Sequence, residues 1–261
     1  MAEPNRQVFE DRHRAESFGS SAELYDAARP SYPDELIEWL GDSGRGNAAD
    51  VGCGTGQVAL LLAASGWQVV GVEIDERMAG VARSHGIDVE VSSFEQWRPA
   101  MRFDLIASGQ AWHWIDPEVG YRHAAELLRP GGRLAIFWNS YRYDSPTQAL
   151  FGTILNRHAP DLLIDSVPFG TSSPDHAALD AETIRRSSQW FDHPEFRAFA
   201  HGRRQTNDEW LAEMTTHSPM AMLDPDVRVA LLADLGTSLA ELNGGSLDVE
   251  YETRVTTARR R

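Results

Sequence analysis

The stretch from Ala48 to Ala64 limits what this chain can fold into more than any other. A short apolar run, Ala48 to Val51, ends in Gly52-Cys53-Gly54-Thr55-Gly56, and a helical pattern starts immediately afterwards at Val58. The glycines let the backbone bend sharply and approach a ligand with no Cβ in the way. The helix beyond them points its unsatisfied N–H groups at the same place. Asp50 stands two residues before the first glycine. About twenty residues on, Glu73 closes the run Gln68-Val69-Val70-Gly71-Val72, where a carboxylate meets the ribose hydroxyls of a nucleotide-like ligand. A strand, a glycine turn, a helix and a second strand in that order make a βαβ unit, whose two strands run parallel.

The rest of the chain agrees. Alternating patterns predict strands over 48–51, 67–73, 87–91, 103–107 and 133–138, with helices at 56–65 and 75–84 between them. A further helix opens at Asp116-Pro117-Glu118 and stops at Leu128, before Arg129-Pro130-Gly131-Gly132. Strands separated by helices of this length mean βαβ crossovers and a doubly wound α/β sheet. Residues 1–19 read as a polar arm. A capping box at Ser20-Ser21-Ala22-Glu23 opens a short helix that Pro30 ends, and a second helix starts with Pro33 at its first position. Residues 20–139 are thus expected to form the ligand-binding core with its N-terminal cover helices. Residues 140–194, with a helix near 146–158 and a Pro/Gly/Ser-rich stretch over 167–174, are expected to be a lid or substrate insertion. Residues 195–261 complete the same domain: a strand over 195–205, a capping box at Thr206-Asn207-Asp208-Glu209, helices to Leu242, and a final strand. That strand alternates Leu247, Val249, Tyr251, Thr253 and Val255 against charged neighbours.

Composition excludes several classes. A net charge of −15 argues against a nucleic-acid surface, which needs clustered Lys and Arg. The single cysteine, Cys53, permits no internal disulfide and suits a reducing compartment. The charged residues 1–20 lack the apolar stretch of a signal peptide, and no apolar run approaches the ~18 residues of a membrane span. A cytoplasmic protein without nucleic-acid or membrane partners is expected; oligomeric state is not legible. No zinc-type Cys/His set, nucleophile elbow or phosphate-loop lysine occurs, so no metal is expected.

The turn separates two ligand families. A dinucleotide fingerprint requires a further glycine at position 57, where this chain has Gln57. The pattern acid-x-Gly-x-Gly-x-Gly instead resembles motif I of the class I S-adenosylmethionine-dependent methyltransferases. The segment Tyr25-Asp26-Ala27-Ala28-Arg29-Pro30-Ser31-Tyr32-Pro33 and the run Gln110-Ala111-Trp112-His113-Trp114 resemble a bacterial small-molecule subgroup of that superfamily. The resemblance implies a Rossmann-like sheet with an antiparallel C-terminal strand, and S-adenosylmethionine as cofactor. It places the methionine end against Gly52, Gly54 and Gly56, with Asp50 behind them, and Glu73 on the ribose. Ile74 covers the adenine or belongs to the core. Ser93 stands where the family commonly has an acid for the adenine amine, a departure that weakens that contact, and the Phe94 N–H reaches a ring nitrogen. A carbonyl near Gln110 holds the methionine amine. Arg29 and Tyr32 fold over the pocket toward the acceptor, while Tyr25 serves there or as packing. Trp112, Trp114 and Trp138 are candidate acceptor walls, and His113 is the candidate general base or an ordinary packed histidine.

Together these features point to methyl transfer onto an O, N or C nucleophile of a small molecule. The alternatives are a non-catalytic S-adenosylmethionine-binding regulator and, disfavoured by Gln57, a nicotinamide-dependent oxidoreductase.

Overall fold

A computed structural model describes residues 22–42, 44–160, 162, 169 and 182–261. The expected polar arm, the serines of the first capping box and most of the Pro/Gly/Ser-rich stretch near 167–174 lie outside those residues.

Five strands alternate with helices through the first half. They are β1 (Asn47–Val51), β2 (Gln68–Glu73), β3 (Asp88–Val91), β4 (Phe103–Gly109) and β5 (Leu128–Arg142). Helices α1 (Ala22–Ala28) and α2 (Asp34–Leu40) precede the sheet; α3 (Gln57–Ala64), α4 (Glu76–Ser84) and α5 (Pro117–Leu127) are its crossovers. Then come α6 (Ser145–His158), β6 (Glu195–Thr206), α7 (Asn207–Thr215), α8 (Ser218–Ala221), α9 (Pro225–Asn243) and β7 (Ser246–Arg259). The strand order is β3-β2-β1-β4-β5-β7-β6, parallel from β3 to β5 and antiparallel where β7 meets β5 and β6. This is the doubly wound, mostly parallel sheet the sequence predicts.

Local chemistry fixes the boundaries. Asp75 caps α4 by accepting from the Arg77 N–H, and Asp116 caps α5 beside Pro117. Thr206 and Glu209 form the reciprocal capping box that opens α7. Pro33 precedes α2 as its N-cap rather than occupying the first helical turn. The largest departure is β5, expected over 133–138 but running from Leu128 to Arg142. Its parallel partner β4 stops at the Gly109–Phe137 pair, whereas antiparallel β7 continues alongside as far as the Arg142–Glu250 pair. The new partner satisfies backbone groups that β4 cannot reach.

Apolar clusters cover both faces. Leu36, Ile37 and Leu62 of α2 and α3 pack on one face with Phe137; Trp97, Trp112 and Tyr121 pack on the other with Ile136. A separate cluster joins α6, α7 and α9 to the far ends of β5 and β7 through Phe151, Trp210 and Leu235. The predicted alternation of β7 holds there: Leu247, Val249, Tyr251, Thr253 and Val255 are all buried.

Candidate active site

Parallel strands bring their carboxyl ends to one edge of the sheet, and the glycine turn sits there between β1 and α3. Gly52, Gly54 and Gly56 all have positive φ, at 67°, 55° and 91°. A Cβ on Gly52 would lie 2.4 Å from the Ala111 Cβ, whereas one on Gly54 would meet only the flexible end of Met78 at 3.4 Å. Gly52 is thus required for close approach to the segment after β4, and Gly54 mainly for its backbone conformation. Cys53 is buried, and burial together with the charges of Asp50 and Glu73 pushes its thiol well above its usual range. It is a packing residue.

Two carboxylates lie beneath the turn. Asp50 is in register with Gly71 of β2 and Ala107 of β4, small neighbours that leave a slot for its side chain. Its Oδ2 accepts from the Ala59 N–H in the first turn of α3 at 2.9 Å, and its Oδ1 is buried without a partner. Burial pushes the Asp50 carboxyl up to about 7; the Ala59 N–H opposes the rise and Glu73 adds to it. Glu73 accepts from the N–H groups of Gly54 (2.8 Å), Ile74 (2.8 Å) and Asp75 (2.9 Å). Burial raises its pKa, and these three donors hold the rise back. Sequence reasoning gave Glu73 a ligand role; the structure adds that it clamps the turn to the end of β2. Neither carboxylate forms an ion pair among the described residues.

Beyond β3, Ser93 precedes a 3₁₀ turn over Phe94–Gln96, and its Oγ is buried without a partner. The Phe94 ring is core, packed on Trp97, Trp112 and His123. Ile74 is half-buried beside the clamp.

The end of β4 carries the one non-glycine positive φ among the described residues, Gln110 at 61°. Such a conformation in a residue with a Cβ is a local cost concentrated at functional sites. It is held by the Gln110 N–H donating to the Phe137 carbonyl at 2.9 Å. The chain then enters a 3₁₀ turn, Trp112–Trp114, whose side chains diverge. Trp112 is 3 % exposed and packs between Phe94 and Tyr121, so it belongs to the core. His113 stacks obliquely between Trp114 and Trp138, with ring centroids at 4.6 and 5.1 Å. The structure brings His113, Trp114 and Trp138 together and leaves Trp112 apart.

The cover segment crosses this edge. The Tyr32 ring packs edge-on against Phe137 at 5.0 Å, and its hydroxyl oxygen lies where a Cβ on Gly109 would be only 2.6 Å away. The Arg29 carbonyl accepts from the Gln57 side chain at 3.5 Å, and its guanidinium donates to the Thr216 carbonyl at 2.9 Å and lies over the Tyr25 ring. Next to it is a polar group that sequence reasoning missed. Tyr141 donates to Glu213 at 2.6 Å, and Arg203 donates to the other Glu213 oxygen at 2.9 Å. Because Glu213 takes the Tyr141 proton, the His217 Nε2 at 3.2 Å is the donor to Tyr141. Burial pushes Glu213 up, but His217, Tyr141 and Arg203 outweigh it and hold the carboxyl below its usual range. His217 is held neutral, down at about 4, by burial and the nearby Arg29 charge. One sequence signal was available: Glu213 stands three positions after Trp210, which puts a carboxylate on the buried face of α7.

Residues 49–136 match a family model described as a methyltransferase domain. An uncharacterized methyltransferase of Mycobacterium tuberculosis is 36% identical over 127 residues, covering 48% of this chain and 52% of that protein. The chain therefore spans about half the length of these curated relatives. A solved structure from Anaeromyxobacter dehalogenans, assigned as a type II methyltransferase, superposes with a TM-score of 0.68 at 24% identity, over 88% of this chain and 97% of that one. Haemonchus contortus phosphoethanolamine N-methyltransferase 2, solved with phosphomonomethylethanolamine and S-adenosylhomocysteine, superposes at 0.54 with 15% identity, over 96% of this chain and 59% of that one. At these identities the solved structures bear on the fold.

Proposed function

We propose, from the premise that residues 49–136 belong to the class I S-adenosylmethionine-dependent methyltransferases, that this chain binds S-adenosylmethionine at the glycine turn and transfers its methyl group to a small-molecule acceptor. The observation that carries the proposal is the pair of buried carboxylates, Asp50 and Glu73, with no cation paired to either among the described residues. Buried charge of one sign is costly unless a partner supplies the other. S-adenosylmethionine brings two positive centres, its amine and its sulfonium, and ribose hydroxyls that a carboxylate can accept from. The pyrophosphate of a nicotinamide nucleotide would add negative charge over two carboxylates already present, which disfavours the oxidoreductase alternative. The partnerless Ser93 Oγ also fits, as an acceptor at the position where an adenine amine is expected.

S-adenosylmethionine supplies a methyl carbon already activated by its sulfonium. The protein's own part is to bind, align and exclude water. Gly52 and Gly54 let the main chain approach the methionine end. Glu73 accepts from the ribose while bracing the turn. The bend at Gln110 directs its carbonyl toward the amine. His113, Trp114 and Trp138 wall the acceptor side, and His113 accepts a proton where the acceptor must lose one.

Calorimetric titration with S-adenosylhomocysteine and, separately, with the nicotinamide nucleotides tests the proposal. Binding of S-adenosylhomocysteine alone is the expected result; binding of a nicotinamide nucleotide alone would overturn it. Transfer of radiolabelled methyl to a panel of small molecules then separates an enzyme from a non-catalytic binder.

A further inference from the structure

Arg29 is a cation without a paired anion among the described residues. Among the described residues its guanidinium reaches one protein acceptor, the Thr216 carbonyl at 2.9 Å, and covers the Tyr25 ring at 4.7 Å. It forms no ion pair among the described residues, and its Nε is buried without a partner. Guanidinium stays protonated in any protein environment, so this is a half-buried charge with a buried donor to spare. The Glu213 charge favours its protonated form, but from beyond ion-pair distance. Glu213 is already engaged by Arg203 at 2.9 Å and Tyr141 at 2.6 Å, and His217 on the far side of Tyr141 is neutral. The group around Glu213 therefore holds two guanidinium charges against one carboxylate.

The position matters as much as the charge. The Arg29 carbonyl is tied to Gln57 at the start of α3, directly after the glycine turn. Three residues on, the Tyr32 hydroxyl overlies Gly109 at the end of β4. On the other side, Tyr141 lies on β5 beyond Trp138 and Asn139. The free guanidinium edge thus stands between the donor turn and the acceptor side of the sheet edge.

We infer that Arg29 is the anchor for a carboxylate group of the methyl acceptor, so that the acceptor class is small carboxylic acids. The inference rests on the methyl-transfer function proposed above and narrows its substrate. A carboxylate matches the planar donor edge of a guanidinium bidentately. A single surplus positive charge is balanced by a monoanion, whereas a phosphate dianion would leave the site negative. A carboxylate neutralised by Arg29 is a poor nucleophile, so it serves as a handle and the methyl group goes to another atom of the acceptor.

The test uses the full chain saturated with S-adenosylhomocysteine, titrated with benzoate, phenylacetate and hexanoate and with the matching primary amides. The carboxylates are expected to bind at least tenfold more tightly than their amides. Arg29→Gln should remove that preference, and Arg29→Lys, which keeps the charge but loses the planar fork, should retain part of it. Thermal unfolding of both variants reports whether they fold, and the lysine variant keeps the test decisive if the glutamine variant does not. Equal binding of acids and amides by the native protein, or an unchanged preference in Arg29→Gln, overturns the inference. Failure of S-adenosylhomocysteine to bind at the outset would instead overturn the methyl-transfer proposal.

Discussion

Asp50→Asn is expected to stabilise the ligand-free protein in alkaline buffer while damaging it as a methyl-donor receptor. An aspartate in the unfolded chain titrates near 3.9, whereas in the folded protein burial holds Asp50 protonated up to about 7. Between these values the folded state binds one proton more than the unfolded state, so stability falls as pH rises. At about 1.4 kcal/mol per pKa unit, a rise from 3.8 to about 7 amounts to about 4 kcal/mol lost above neutrality. Asparagine cannot ionise. Its side-chain oxygen keeps the bond from the Ala59 N–H, but its NH₂ enters the place where Oδ1 has no partner. That unsatisfied donor costs about 1–3 kcal/mol at every pH. The diagnostic quantity is therefore the change in the variant-minus-native difference with pH. Urea unfolding at pH 5 and pH 8.5 should show the difference moving in the variant's favour by about 3 kcal/mol. In thermal scans that corresponds to roughly 5–10 °C for a chain of this size. A pH-independent difference would falsify the claim that Asp50 is a buried, uncompensated acid. Binding supplies the complementary measurement. A cationic ligand favours ionised Asp50, so below pH 7 it should release a proton, and its affinity should rise with pH toward neutrality. Calorimetry in buffers of differing ionisation enthalpy reads that proton directly, and Asp50→Asn should abolish it.

Other perturbations probe the remaining parts of the site. Gly52→Ala should cost more in stability and donor affinity than Gly54→Ala. Both pay about 1–2 kcal/mol for the left-handed backbone, but only the first drives a Cβ into Ala111; equal losses would show that close approach is not what Gly52 provides. Glu73→Ala should weaken S-adenosylhomocysteine binding by about 1–3 kcal/mol and also lower stability, because three backbone donors lose their acceptor. Unchanged affinity would remove Glu73 from the ribose role and leave only the clamp. His113→Ala should reduce turnover with little change in donor affinity; if it lowers the melting temperature by several degrees and leaves turnover of the folded fraction intact, His113 is packing between Trp114 and Trp138. Tyr141→Phe should destabilise the protein by about 1.5–3 kcal/mol, the worth of a hydrogen bond to a charged group, since it removes the shortest donor to the fully buried Glu213. Unchanged unfolding would mean that Arg203 and Gln205 together satisfy that carboxylate.

Local pattern determined the sheet and the glycine-turn side of the candidate site. The glycine turn, the βαβ alternation and the paired acids Asp50 and Glu73 depend on backbone conformation and residue spacing, which are properties of short stretches. For the same reason the capping box at Thr206 and the buried face of β7 were legible residue by residue. Tertiary structure decided everything that depends on which side of a turn a side chain leaves. Trp112 and Trp114 are equivalent in sequence, yet the strained bend at Gln110 sends one into the core and sets the other beside His113. The length of β5 was equally hidden, because it is set by an antiparallel partner more than a hundred residues later. The Glu213 group lay furthest from reach. Arg29, Tyr141, Arg203 and His217 come from four separate stretches, and a charge imbalance among them exists only once the fold has gathered them around the buried Glu213. Sequence thus pointed to the glycine turn and placed Arg29 in the cover segment, and only long-range packing showed that its half-buried guanidinium has no ion-pair partner among the described residues.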